Sequence, residues 1–150
     1  TIMSNTHTIR DAVLKADLVI SSILVRGAKA PCLIDRQLVS QMKPGSVIVD
    51  VAIDQGGSVE TSRPTTHDDP TYVVDGIVHY CVTNMPGAVA RTSTYALTNA
   101  TLPFIVQLAN EGYEQAIRKY FPLKQALNLF KGELTIKEVA ETFNLPYKII

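Results

Sequence analysis

The sequence carries no excess charge of either sign. Fourteen basic residues balance fourteen acidic ones, and neither sign runs for five consecutive residues. That balance argues against a nucleic-acid binder, whose phosphate-neutralising footprint is basic and clustered, and against polybasic attachment to an anionic membrane. Long apolar runs are missing too: no eighteen consecutive residues are apolar, so no helical membrane span is expected. Thr1 to Arg10 has no charged start followed by an apolar centre, and does not read as a secretory signal. Cysteine is scarce. Cys32 and Cys81 lie far apart without CxxC spacing, and read as free thiols rather than a disulfide, which places the chain in the cytoplasm. Finally, none of the glycines (27, 45, 56, 57, 76, 87, 112 and 132) forms a GxGxxG turn or a Walker loop. Either this is not a nucleotide-binding domain, or the chain starts after that motif.

What is present is the composition of a soluble globular chain, with 46% hydrophobic and 19% charged residues in 150. Apolar positions Ile9, Ala12, Val13 and Ala16 follow a helical spacing. Leu18 to Ile20 reads as a short buried strand leading to Ser21 and Ser22. Asp35 is the expected N-cap of a helix carrying Leu38, Val39 and Met42, stopped by Lys43-Pro44-Gly45. Ser46 to Ile53 is the next strand. Helix, strand, helix, strand in this order predicts crossover units on a parallel sheet, an α/β architecture.

Residues 55 to 76 are loop-like, and Thr71 to Val74 and Ile77 to Val82 are further strand candidates. Three strands then end in residues able to meet a ligand: Ser21/Ser22, Asp54 and Asn84. In open α/β sheets, ligands bind outside the carboxyl ends of the strands. A boundary is expected near residue 90. Beyond it, Thr92 or Ser93 should cap a long helix reaching about Asn110, kinked at Pro103 and ended by Gly112. Residues 113 to 131 suggest short helices broken at Pro122, and Thr135-x-x-Glu138 fits a capping box for a last helix.

Asp54 has two readings that the spacing leaves open: a general acid/base at the mouth of the sheet, or a cap for the backbone at Gly56 and Gly57. Asp50, inside the strand, is expected to be structural. Arg63 either brings a bidentate contact to a phosphate or carboxylate or braces its loop. His67-Asp68-Asp69 offers adjacent side chains that do not converge on one metal ion. His79 lies in a strand pattern and reads as a satisfied core histidine. Ser93 and Cys81 have no His/Asp arrangement that would make a hydrolase triad. The segment Thr135 to Leu145 is similar to the opening of a helix-turn-helix, but no recognition helix follows it, so a packing helix is expected.

Several strings, taken together, resemble bacterial alanine dehydrogenase. They are Ala16-Asp17-Leu18-Val19-Ile20, Gly27-Ala28-Lys29-Ala30-Pro31, Met42-Lys43-Pro44-Gly45-Ser46, Asp50-Val51-Ala52-Ile53-Asp54-Gln55-Gly56-Gly57, Ser62-Arg63-Pro64-Thr65-Thr66-His67, Asn84-Met85-Pro86-Gly87-Ala88 and Arg91 to Thr101. The resemblance covers nearly the whole chain and weakens after about Glu111. It implies the second half of a Rossmann-type NAD-binding sheet (residues 1–90), followed by a helical segment (91–150) returning to the catalytic domain. The activity it implies is reversible oxidative deamination of L-alanine to pyruvate and ammonium.

Carried over by resemblance, Asp54 is the catalytic aspartate. Ser4, Ile23, Leu24, Val51, Ala52, Ile53, Asp54, Arg63, Val82, Thr83, Asn84 and Met85 are cofactor-binding, and Asn84 also meets substrate. Thr83 stands where Ala is more usual. The family's substrate-binding Arg and Lys, its catalytic His, its glycine-rich turn and its ribose-binding acid would all precede Thr1. These 150 residues alone are therefore expected to expose apolar surface and to lack dehydrogenase activity. The family commonly forms homohexamers, and the long helix from Thr92 is expected at subunit or domain contacts. A transhydrogenase-like NAD domain and a non-catalytic nucleotide-binding module are the alternative readings.

Overall fold

Helix α1 (Thr6–Lys15) starts three residues ahead of Ile9, the first apolar position of the helical spacing, because Asn5 caps it. The Asn5 side chain accepts from the Thr8 N–H at 3.0 Å, and the Thr8 hydroxyl accepts from the Asn5 N–H at 3.1 Å. This reciprocal box satisfies two of the donors that a helix start leaves unpaired. The computed structural model describes residues 1–25 and 27–149. They divide into two compact units, one of residues 1–25 and 29–85, the other of residues 27–28 and 86–149.

The first unit is a four-stranded sheet in the order β1-β2-β4-β3, made of β1 (Leu18–Ser21), β2 (Val47–Asp50), β3 (Thr71–Val74) and β4 (Ile77–Tyr80). Strands β1, β2 and β4 are parallel, with Val19 opposite Ile48 and Ile48 opposite His79. β3 runs antiparallel to β4. Asp75 and Gly76, both at positive φ (51° and 80°), form the two-residue turn between them. Asp-Gly is a strong short-range hairpin signal.

Side chains on one face of the sheet are covered: Val19 and Ser21, Ile48 and Asp50, Ile77 and His79, Tyr72 and Val74. Ile48, Ile77 and Val39 are fully buried and pack with Val13, Ile34, Leu38, Met42 and Val59. Helix α2 (Arg36–Val39) supplies part of that layer. Asp35 caps it as expected, accepting from the Leu38 N–H at 2.7 Å. The opposite face differs from the buried strand read from the sequence: Leu18 is 53%, Ile20 63% and Val73 64% exposed. A parallel sheet usually has both faces covered; among the described residues of this unit, nothing covers these three.

The second unit is built on helix α3 (Ala90–Lys119). Its break falls at Gly112, where φ 71° and ψ 159° leave the helix, and helical structure then resumes to Lys119 instead of ending. Neither Thr92 nor Ser93 is the cap. Val89 stands there without a side-chain bond, while the Ser93 hydroxyl donates to the Pro86 carbonyl at 2.9 Å. Helix α4 (Phe121–Ala126) has Pro122 in its first turn, where a missing N–H costs nothing. Strands β5 (Leu129–Phe130) and β6 (Glu133–Leu134) form a small hairpin that the sequence reading placed among helices. Helix α5 (Lys137–Phe143) follows Ile136, and the expected Thr135 capping box is absent because the Thr135 hydroxyl donates to the Leu127 carbonyl.

Candidate functional site

Strand β2 stops at Asp50, three residues short of the expected Ile53, because the next residues coil into a 3-10 turn, Val51–Gln55. The cause is Asp50 itself. Its buried carboxylate accepts from the N–H groups of Ala52 (3.1 Å), Ser58 (2.9 Å) and Val59 (3.3 Å), and from the Ser58 hydroxyl (3.3 Å). Ser58 in turn bonds Ser21 at the end of β1. A carboxylate holding several N–H donors folds the loop back onto the strand end, and each such charge-assisted bond is worth roughly 1.5–3 kcal/mol. Gly57 is required in that fold. At φ 75°, a Cβ there would lie 3.1 Å from the Asp50 carboxylate and 3.3 Å from Ser62 Cβ.

The loop-capping role left open for Asp54 therefore belongs to Asp50. Asp54 is exposed on the outer side of the turn and makes no hydrogen bond or ion pair among the described residues. Beside it, Val51 is 43% exposed. Ala52 and Ile53 have buried side chains, and Gly57 and Gly56 donate to their carbonyls at 3.0 Å each. These two residues build the turn.

At the end of β1, Ile20 and Ser21, with Ser22 and Ile23 just beyond it, line a cleft of about 290 Å³ together with Ser4 and Thr8. Ser4 and Ile23, nominated from the sequence, thus share one concavity, while Leu24 stands outside it at 76% exposure. Beyond β4, Val82 is fully buried and Thr83 and Met85 are half-buried. Asn84 is exposed in a left-handed conformation (φ 55°), and its carbonyl accepts from His67 Nε2 at 3.0 Å. The 65–67 segment is pinned alongside: Thr65 donates to the Cys81 carbonyl at 3.0 Å, and Thr83 to the Thr65 carbonyl at 3.1 Å. Ser22, Asp54 and Asn84 accordingly stand beyond the carboxyl ends of three adjacent parallel strands.

Arg63 lies over the Tyr72 ring, its guanidinium carbon 4.1 Å from the centroid, a contact worth about 0.5–1 kcal/mol when exposed. The Tyr72 hydroxyl accepts from the Arg63 N–H at 2.7 Å and donates to the Thr61 carbonyl at 2.9 Å. Burial, reinforced by the nearby Cys81 thiol, pushes the Tyr72 phenol well above its ordinary value, so it remains protonated. His79 is the satisfied core histidine the strand pattern suggested. The Ile77 carbonyl, 3.0 Å from Nδ1, can only accept, so Nδ1 carries the proton and Nε2 accepts from the Thr61 hydroxyl at 2.7 Å. Its ring stacks on Tyr72 at 5.0 Å. Burial lowers its pKa. Sequence reasoning missed Tyr72 and Ser58. For Tyr72 the available signal was a polar atom on the covered face of a strand, which must find a partner. Among the described residues, no three His, Cys, Asp or Glu side chains are grouped to hold a metal, and both cysteines are free.

Parallel strands with an exposed carboxylate, amide and hydroxyl beyond their carboxyl ends define a Rossmann-type α/β unit, here followed by a helical unit. The model of the family described as alanine dehydrogenase/PNT, C-terminal domain, matches residues 1–137, and the chain belongs to that family. It is 59% identical to an alanine dehydrogenase of Halomonas elongata, over 98% of this chain and 40% of the relative. Against alanine dehydrogenase 2 of Staphylococcus aureus it is 56% identical, over 100% of this chain and 41% of the relative. Among solved structures, an L-alanine dehydrogenase superposes with a TM-score of 0.77 at 51% identity, covering 94% of this chain and 39% of that one. A transhydrogenase from Sinorhizobium meliloti gives 0.60 at 27% identity, covering 68% and 30%. The chain thus spans about 40% of the length of the curated relatives it matches.

Proposed function

We propose that this chain is the C-terminal part of an NAD-dependent alanine dehydrogenase, in which residues 1–90 complete the dinucleotide-binding sheet and 91–150 return to the catalytic domain. The observation that carries this reading is Asp54, exposed and without a hydrogen bond or ion pair among the described residues, on a turn clamped at the end of the central parallel strand. The higher identity to alanine dehydrogenase than to transhydrogenase supports the dehydrogenase over a transhydrogenase-like domain.

The residues present fit a dinucleotide. Gly57 lets backbone pass where a Cβ would crowd the Asp50 carboxylate. The cleft lined by Ser4 and Ile23 is mostly apolar, with a few hydroxyl side chains among its lining residues, suited to a partly polar group. In this reading Ser4, Ile23, Leu24, Val51 to Asp54, Arg63 and Val82 to Met85 would hold the cofactor. When bound, NAD supplies the hydride acceptor. Ala52, Ile53 and Val82 shape the floor with their backbone, since their side chains are buried. Val51 and Met85 exclude water. The Asn84 side chain orients the substrate, and Asp54 holds or moves a proton at the amine and at the attacking water. The complete protein acts in the cytoplasm as a homohexamer, and L-alanine and pyruvate are its substrates.

The test is Asp54→Asn in the full-length enzyme. Loss of a positioned acid/base should lower kcat by about 10²–10⁴-fold while NADH affinity stays close to wild type. Turnover near wild type refutes the catalytic role, and a change in cofactor affinity alone reassigns Asp54 to binding. Residues 1–150 purified alone should show no NAD-dependent deamination of alanine, and measurable turnover would contradict that.

A further inference from the structure

Residues 61, 62 and 63 are held in succession by side chains on and just beyond the β3–β4 hairpin. Thr61 bonds His79 at 2.7 Å, Ser62 Oγ lies 3.6 Å from Cys81 Sγ, and the Arg63 N–H meets the Tyr72 hydroxyl at 2.7 Å. Tyr72 acts twice on the same residue. Its hydroxyl fixes the Arg63 main chain, and its ring carries the guanidinium 4.1 Å above the centroid. The hydroxyl is itself anchored to the Thr61 carbonyl at 2.9 Å, and the ring rests against buried His79.

An arginine on an exposed loop otherwise samples many rotamers, and ordering it on binding costs affinity. Stacked on an aromatic face, the guanidinium leaves its N–H edge open to an oxyanion. We propose that Tyr72 is a positioning residue for dinucleotide binding, holding Arg63 in one orientation so that its guanidinium meets an oxyanion of the cofactor without reordering. The proposal rests on the reading that Arg63 touches the cofactor.

The experiment is a double-mutant cycle read by NADH fluorescence titration on the full-length enzyme, with Tyr72→Leu, Arg63→Ala and the pair. Arg63→Ala should raise the NADH Kd about tenfold, as loss of one charge-assisted contact does. Tyr72→Leu should raise it by a comparable factor in the wild-type background, and by less than about twofold once Arg63 is gone, because coupled residues do not add. The same factor in both backgrounds overturns the proposal while leaving the cofactor role of Arg63 intact. An unchanged Kd for Arg63→Ala overturns the proposal together with that role. Should Tyr72→Leu fail to fold, Tyr72→Phe decides. It keeps the ring and removes the hydroxyl, and is expected to raise the Kd about threefold; a wild-type value overturns the proposal.

Discussion

The two units of this chain treat their apolar residues in opposite ways. In the sheet unit, Ile48, Ile77, Val39 and Val82 are fully buried, and each strand has one covered face. Among the described residues of the helical unit, only Ala116 and Ala140 are buried hydrophobics, while α3 leaves Tyr95 62%, Leu97 66%, Leu102 50% and Ile105 56% exposed. The sheet unit is held by its own core, whereas the helical unit draws on local hydrogen bonding, short turns and a small hairpin.

The comparison breaks most readily at its centre. Ile48→Ala empties a fully enclosed site on β2 and should cost about 2–5 kcal/mol. Leu97→Ala on α3 should stay within about 0.5 kcal/mol. Urea midpoints of the two variants check both, and equal losses would dissolve the distinction between the units. Next comes Asp50→Asn. An amide replaces one acceptor oxygen with a donor: in place of Oδ2 it unpairs the Ser58 and Val59 N–H groups together, and in place of Oδ1 it unpairs the Ala52 N–H. Each unsatisfied buried donor costs about 1–3 kcal/mol. The loss should appear as a lower midpoint with faster amide exchange at Ser58 and Val59 or at Ala52, and undisturbed exchange in α3.

The smallest effect concerns pH. Burial outweighs the Ile77 carbonyl and the Asp50 and Asp75 charges, and holds His79 below its ordinary value of 6.5. The folded state then disfavours the imidazolium relative to the unfolded chain. His79's contribution is fully present above pH 6.5 and is lost as pH falls through that value toward the lowered one. The midpoint of the wild-type chain should decline over that window, and His79→Gln should flatten the decline. The sequence puts all its histidines, at 7, 67 and 79, in the sheet unit, so probes in α3 should see little of it.

The same contrast explains what was legible in the sequence. Strand positions and the Asp35 cap were readable because local preference and burial agree there, whereas α2 ends at Val39, ahead of the expected Lys43-Pro44-Gly45 stop, because the Gln41 and Met42 N–H groups turn back onto the Leu38 and Val39 carbonyls. Strand β2 was overrun by three residues because Val51 to Ile53 look like a continuing apolar strand. What ends the strand is a carboxylate bonding amides up to nine residues away, which periodicity does not encode. In the helical unit, Thr135 and Ser93 matched capping patterns, yet their hydroxyls bond Leu127 and Pro86 instead. The β5–β6 hairpin, two residues per strand, is too short for any period to register. At the site, Asp54 and Asn84 could be nominated by position after a strand. Tyr72 offered only its polar atom on a covered strand face; its link to Arg63, nine positions away across an irregular loop, was not readable.

The buried carboxylate of Asp50 has one more consequence. The turn carrying Asp54 is tied to β2 and, through Ser58, to β1, so its conformational entropy is surrendered when the chain folds and not when a ligand arrives. The turn is preorganised, and its share of the ordering cost drops out of the affinity of whatever binds there.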